Sequence, residues 1–116
     1  AGSEAKEILE GFLGSDLVLR VQNAKQIFRE LPFLMSSDDG DVAFGSIDLL
    51  LEEEDGWTVV DYKSNRVNSQ EEAANVAAGY QIQGNLYVDA VERALSIEGV
   101  GCELWFVRGP YKVTLR

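Results

Sequence analysis

Histidine is absent from the 116 residues of this chain, which removes every Ser-His-Asp triad, every His-bearing zinc motif and every imidazole base. Any acid–base chemistry must use other groups. The single cysteine, Cys102, can neither close an internal disulfide nor hold zinc or an iron–sulfur cluster alone, so a reducing, cytoplasmic setting is expected. No apolar run approaches the roughly 18 residues of a transmembrane helix. The first thirty residues carry charges throughout, and neither a membrane span nor a secretory leader is expected. Cations are scarce as well, since 10 Lys+Arg stand against 20 Asp+Glu and leave a net charge of -10. That balance argues against a surface-wide nucleic-acid footprint but not against a local site, because concentrated carboxylates can hold a divalent cation that reverses the field a phosphate feels.

What is present suffices for one domain. With 46% hydrophobic residues in 116, the whole chain reads as a single compact unit, residues 1–116, able to bury a core. Ala5, Ile8, Leu9, Phe12 and Leu13 fall at amphipathic-helix spacing, ended by Gly14-Ser15, and a short second helix is expected from Asp16 to about Ala24. A strand follows from Gln26 to Met35, with Pro32 marking an edge or a bulge, then turn residues 36–40 and a second strand from Asp41 to about Glu52. Glu53-Glu54-Asp55-Gly56 reads as a hairpin turn into a third strand, Trp57 to Lys63, antiparallel to the second. The capping box Ser69-Gln70-Glu71-Glu72 opens a helical region running to about Ser96, with a break near Gly79 or Gly84 and a stop at Gly99 and Gly101. Two last strands, Cys102 to Val107 and Tyr111 to Leu115, complete an order α, α, β, β, β, α, β, β.

Two carboxylates sit where strands are apolar. Asp48 lies in Phe44-Gly45-Ser46-Ile47-Asp48-Leu49-Leu50-Leu51, and Asp61 in Trp57-Thr58-Val59-Val60-Asp61-Tyr62-Lys63; burying either costs free energy unless a partner or a metal compensates. A two-residue loop at Asp55-Gly56 pairs positions summing to 111, and a four-residue loop over 53–56 pairs positions summing to 109. Both sums are odd, so Asp48, Asp61 and Lys63 share one face, with Asp48 opposite Lys63 in the first register and opposite Asp61 in the second. Spacing alone leaves two readings open. One is a buried Asp–Lys ion pair with the second Asp near solvent, and the other is an oxygen site for a hard divalent ion, Mg²⁺ or Mn²⁺.

Asp48, a hairpin and then Asp61-x-Lys63 resemble the D…(D/E)-x-K arrangement of the PD-(D/E)xK nuclease superfamily. Four ordered blocks carry a closer likeness: Arg29-Glu30-Leu31-Pro32-Phe33, Gly45-Ser46-Ile47-Asp48-Leu49-Leu50, Asp61-Tyr62-Lys63-Ser64-Asn65-Arg66, and Tyr80-Gln81-Ile82-Gln83-Gly84-Asn85-Leu86-Tyr87. Together they resemble the C-terminal nuclease domain of bacterial RecB/AddA-type, UvrD-like helicase–nucleases over roughly Ile27 to Leu95. The resemblance implies an α/β, restriction-endonuclease-like core with a mixed β-sheet flanked by helices, and Mg²⁺-dependent hydrolysis of DNA with Mn²⁺ as a substitute. It makes Glu30, Asp48 and Asp61 the metal-site carboxylates, the main-chain carbonyl of Tyr62 a further ligand, Lys63 the catalytic lysine, and Gln83 and Tyr87 the helix motif that positions DNA or the lysine. It also implies a piece of a longer protein whose partners are DNA, helicase domains of the same chain and a second helicase–nuclease subunit, in repair and recombination.

Two departures stand out. The family's additional metal-binding His upstream of the Glu has no counterpart in a chain without His, and the usual Pro before the first Asp is Ile47. Two rival expectations follow: a catalytically silent docking or DNA-guiding module, and a freestanding exonuclease of the same superfamily. The run Asp38-Asp39-Gly40-Asp41 and the acidic hairpin lack a Glu at the twelfth position of a calcium loop and are read as turns.

Overall fold

A computed structural model describes residues 14–36 and 39–116, so the helix expected over Ala5 to Leu13, and Ser37 and Asp38 of the turn, lie outside the described residues. Helix α1 is Asp16–Asn23, followed by strands β1 (Gln26–Ser36), β2 (Val42–Glu53) and β3 (Gly56–Lys63). Helix α2 (Gln70–Ala77), a single 3₁₀ turn (Ala78–Tyr80) and helix α3 (Gln81–Leu95) lead to β4 (Gly101–Phe106) and β5 (Tyr111–Thr114). The five strands form one sheet in the order β1-β2-β3-β4-β5, with β3 and β4 parallel and the other neighbours antiparallel. The parallel pair follows from the connection, because the α2–α3 segment is long enough to carry the chain back across the sheet before β4 begins.

Strand alternation sorts the core into two faces. Leu49, Leu51, Val60 and Trp105 pack under α1 through Leu17. On the opposite face, Leu50, Val59 and Cys102 meet α3 through Tyr87, Val88 and Val91, while Leu104 and Phe106 meet α2 through Ala73 and Ala77. The result is a mixed sheet covered by helices on both sides, the restriction-endonuclease-like arrangement expected from the sequence.

The helical region starts where the capping box puts it, with the Ser69 side chain accepting a hydrogen bond from the Glu72 amide at 3.0 Å. Its break falls at the 3₁₀ turn containing Gly79. Gly84 serves a different purpose from the expected break: it is buried inside α3, and a Cβ there would come within 2.7 Å of Leu115 Cδ1 and 3.2 Å of Cys102 Sγ. The stop also differs from expectation. Ser96, not a glycine, takes the left-handed conformation that ends α3, with φ 56° and ψ 46°.

The β2–β3 hairpin adopts the register summing to 109, from Glu53↔Gly56 to Leu49↔Val60. Its ladder ends there, one step before Asp48 and Asp61 would face each other. The β1–β2 ladder has a gap at the same level. Arg29↔Leu49 and Leu31↔Ile47 are paired, whereas Glu30 and Asp48 between them are not. Glu30 has φ 50°, a left-handed backbone in mid-strand that costs a non-glycine residue about 1–2 kcal/mol. The side-chain phase slips across this point. Phe28 and Leu50 lie toward α3 before it, and Leu31, Phe33 and Ile47 lie toward α3 after it, although regular alternation would put these odd-numbered positions with Leu49 under α1. The register is the same on both sides of this step, so no residue is inserted; of the two expectations raised by Pro32, the edge strand is met and the bulge is not.

Candidate active site

The slip at Glu30 and the end of the β2–β3 ladder leave a gap between strands, and the charged residues gather around it. Asp48, half-buried, has its carboxylate turned across the gap, where Oδ2 accepts the Tyr62 amide at 2.8 Å and takes the place of a ladder carbonyl. Asp61 comes from the opposite strand and is 5% exposed. Its Oδ2 has the Lys63 ammonium 2.9 Å away, yet that approach is not a directed hydrogen bond, and among the described residues the oxygen has no other hydrogen-bond partner. Burial, followed by the facing Asp48 carboxyl, pushes the Asp61 pKa up to about 6, against the opposing pull of Lys63. A pair built only for stability would move it down. The ion pair of the first reading is thus present between Asp61 and Lys63, with the half-buried Asp48 carboxyl facing it.

Lys63 is held by three different contacts. Besides Asp61, its Nζ lies 3.4 Å from Gln83 Oε1 and 4.0 Å above the Tyr80 ring centroid. Gln83, three residues on from Tyr80, thus touches the lysine directly. Tyr87, one turn further along α3, is 8% exposed and meets Phe33 edge-on with ring centroids 5.4 Å apart. Its hydroxyl pKa is raised by burial first and then by Asp61 and Asp48, and the ring belongs to the core cluster around Leu50 and Val88. The motif thereby divides into a lysine contact and a packing contact.

On the solvent side, Arg29, Glu30, Asp48 and Tyr62 line a cavity of about 340 Å³. Glu30 shares it with Asp48, but among the described residues no three His, Cys, Asp or Glu side chains are already gathered tightly enough to hold a metal ion. Asp48 and Asp61 form the close pair, and Glu30 stands at the rim. The donor set still suits a hard divalent cation: it is all oxygen, it contains a buried carboxylate oxygen with no directed hydrogen bond, and its negative charge exceeds what Lys63 offsets. Two contributors stand in the four sequence blocks without a role assigned from sequence: Tyr80, in a helix stripe that resembles ordinary packing, and Arg29, beside Glu30 on β1.

Residues 3–115 match the family model of the PD-(D/E)XK nuclease superfamily. The chain is also similar to bacterial proteins described as ATP-dependent helicase/nuclease subunits. It is 34% identical to that of Heliobacterium modesticaldum over 112 residues, covering 83% of this chain and 8% of the relative. The Alkaliphilus oremlandii protein is 35% identical over 103 residues, covering 78% and 8%, and the Bacillus cereus protein is 31% identical over 130 aligned positions, covering 96% and 10%. The chain thus spans about a tenth or less of these relatives' length. The matched stretch takes in both strands that carry Asp48 and Asp61-x-Lys63 and the helix that carries Gln83, and it accords with the mixed sheet in which they meet: the chain belongs to the PD-(D/E)XK nuclease superfamily.

Proposed function

We propose that this domain hydrolyses phosphodiester bonds of DNA with the help of a divalent cation, Mg²⁺ or Mn²⁺ in its place, as the nuclease part of a longer helicase–nuclease acting in repair and recombination. The observation that carries the reading is the buried Asp61 facing Asp48, with Lys63 two residues on, at the point where β2 and β3 part. Asp48, Asp61, the main-chain carbonyl of Tyr62 and Glu30 would hold the cation. The chemistry supplied by such an ion is Lewis acidity toward a phosphoryl oxygen and a lowered pKa for a water.

The chain's own residues do the rest. The Tyr62 amide fixes one oxygen of Asp48, so that carboxylate is oriented before any ligand arrives. Lys63, steadied by Gln83 and the Tyr80 ring beside Asp61, would orient an attacking water or offset charge building on the phosphate. No covalent enzyme intermediate is required, and the products would carry a 5′-phosphate and a 3′-hydroxyl. DNA and the motor domains of the same chain are the expected partners, together with a second helicase–nuclease subunit.

The test compares Asp61→Asn and Lys63→Ala in the complete protein, by Mn²⁺ calorimetry and by cleavage of labelled DNA in Mg²⁺. Asp61→Asn should lose both metal binding and cleavage. Lys63→Ala should lose cleavage by about 10²- to 10⁴-fold while metal affinity stays within a few-fold of wild type. Wild-type cleavage by Asp61→Asn would overturn the assignment, and metal-free DNA binding without cleavage by the unaltered protein would favour a silent guiding module.

A further inference from the structure

Arg29 and Glu30 are sequence neighbours in a strand, and regular alternation would send their side chains to opposite faces of the sheet. Both nevertheless line the 340 Å³ cavity that holds Asp48. The left-handed Glu30 backbone and the unpaired 30/48 step account for it, because the strand turns over between them. Arg29 also lines a second cavity, of about 180 Å³, on the α1 side, with Leu17, Val18, Val21, Gln22 and Tyr62. Arg29 and Tyr62 are the two residues common to both spaces, so they form the wall between a carboxylate-lined cavity and a mostly aliphatic one.

The charge pattern gives this wall a purpose. In a chain of net charge -10, Glu30, Asp48 and Asp61 present negative charge to any approaching phosphate. Lys63 is committed to Asp61, Gln83 and Tyr80. Among the described residues Arg29 is the only cation lining the carboxylate cavity; it is exposed, and no described carboxylate forms an ion pair with it. A guanidinium suits this place, since its planar fork binds phosphate oxygens in pairs and it stays charged at every working pH.

On the reading of the site as a DNA nuclease, we infer that Arg29 is a substrate-positioning residue that grips a backbone phosphate next to the one being cut, with the adjoining sugar and base lying over the aliphatic cavity beside Tyr62. The strained Glu30 backbone is the device that brings this cation into a carboxylate site without pairing it to Asp48. Arg29 touches substrate but not the reacting bond, so its removal should weaken DNA binding more than the chemical step.

The experiment uses the complete protein and a labelled single-stranded oligonucleotide. Arg29→Ala should raise KM about 10- to 30-fold with kcat changed less than about 3-fold, and Arg29→Lys should recover part of the loss. The dependence of log kcat/KM on log salt should flatten by about 0.7, the share of one single-strand phosphate contact. Mn²⁺ calorimetry should be unchanged. An unaltered KM and salt slope in an active Arg29→Ala enzyme would overturn the inference, as would a loss of metal affinity matching that of Asp61→Asn, which would make Arg29 a prop for the carboxylates. Oligonucleotide binding in the Lys63→Ala background separates the two claims. If the wild type cuts nothing while Arg29→Ala still weakens binding, the nuclease reading fails and the phosphate grip stands; if cleavage is robust and binding is indifferent to Arg29, the reverse holds.

Discussion

The sheet carries two charged clusters of the same stoichiometry, one cation and two carboxylates, and they are built to opposite ends. On the α1 face, Arg20 meets Glu53 through Nη2 at 2.7 Å and through Nε at 3.1 and 3.2 Å, and meets Glu103 through Nη1 at 2.7 Å. Trp105 Nε1 donates to the same Glu103 oxygen at 3.0 Å. On the other face, Lys63 meets Asp61 without a directed hydrogen bond, and Asp48 leans in from across the gap. Burial on its own would raise the pKa of Glu103, but the hydrogen bonds from Arg20 and Trp105 hold it below the usual glutamate value. Asp61 goes the other way, to about 6. Counting charges therefore does not tell a clamp from a site; what separates them is whether each buried oxygen has its donor.

The sharpest way to break the comparison is to remove the cation from the clamp. Arg20→Ala leaves Glu53 and Glu103 facing each other with side chains 22% and 12% exposed. The expected loss is about 2–3 kcal/mol, at or just below the range for breaking a fully buried pair because some solvent reaches this one. Urea unfolding should show a lower midpoint with the slope preserved, while Mn²⁺ affinity stays at the wild-type value. A drop in metal affinity together with stability would mean that the clamp and the carboxylate site are one unit.

The next largest effect should have the opposite sign. In the folded, metal-free domain Asp61 keeps its proton up to about pH 6, whereas in the unfolded chain it releases it near 3.8. Between those values the unfolded state binds fewer protons, so stability falls as pH rises through the window, by on the order of 2 kcal/mol. Glu103 contributes with the reverse sign, present above its unfolded pKa and lost as pH falls through its depressed folded value. Denaturation of chelator-treated protein should therefore show a decline between about pH 3.8 and about pH 6 that Asp61→Asn abolishes, and that variant should be the more stable one at pH 7. A flat profile in the wild type would mean that the gap relaxes enough to hydrate Asp61.

How far these features could be read beforehand depends on whether a residue type announces them. Alternation and the acidic turn were enough for the β2–β3 hairpin, and because both candidate registers were odd they brought Asp48, Asp61 and Lys63 together before the register was known. Choosing between them depended on the turn itself, where Gly56 takes φ 136° opposite Glu53. The slip at Glu30 gave no warning, since a left-handed residue in mid-strand is usually glycine and this one is glutamate. Everything that depends on it was hidden as well: the transfer of Leu31, Phe33 and Ile47 to the α3 face, and the presence of Arg29 beside Glu30. Gly84 misled in the other direction, because a glycine that admits Leu115 and Cys102 to the helix looks in sequence like one that breaks it.

The smallest effect expected separates the two clusters by how firmly each holds its cation. Arg20 is fixed by four hydrogen bonds, two of them at 2.7 Å, but Lys63, beyond its undirected approach to Asp61, relies on a 3.4 Å contact to Gln83 and a ring face at 4.0 Å. A long hydrogen bond to a charged group and a partly exposed cation–π contact contribute roughly 1 kcal/mol each. Gln83→Ala and Tyr80→Leu should therefore each slow single-turnover DNA cleavage only about 3- to 10-fold, with Mn²⁺ affinity and urea midpoint nearly unchanged. The double variant should be more than additive, since either contact alone still confines the ammonium and only their joint loss leaves Asp61 as its one remaining hold. Strict additivity would show that the two contacts act on different steps. A loss as large as that of Lys63→Ala from Gln83→Ala alone would show that Gln83 touches the substrate itself.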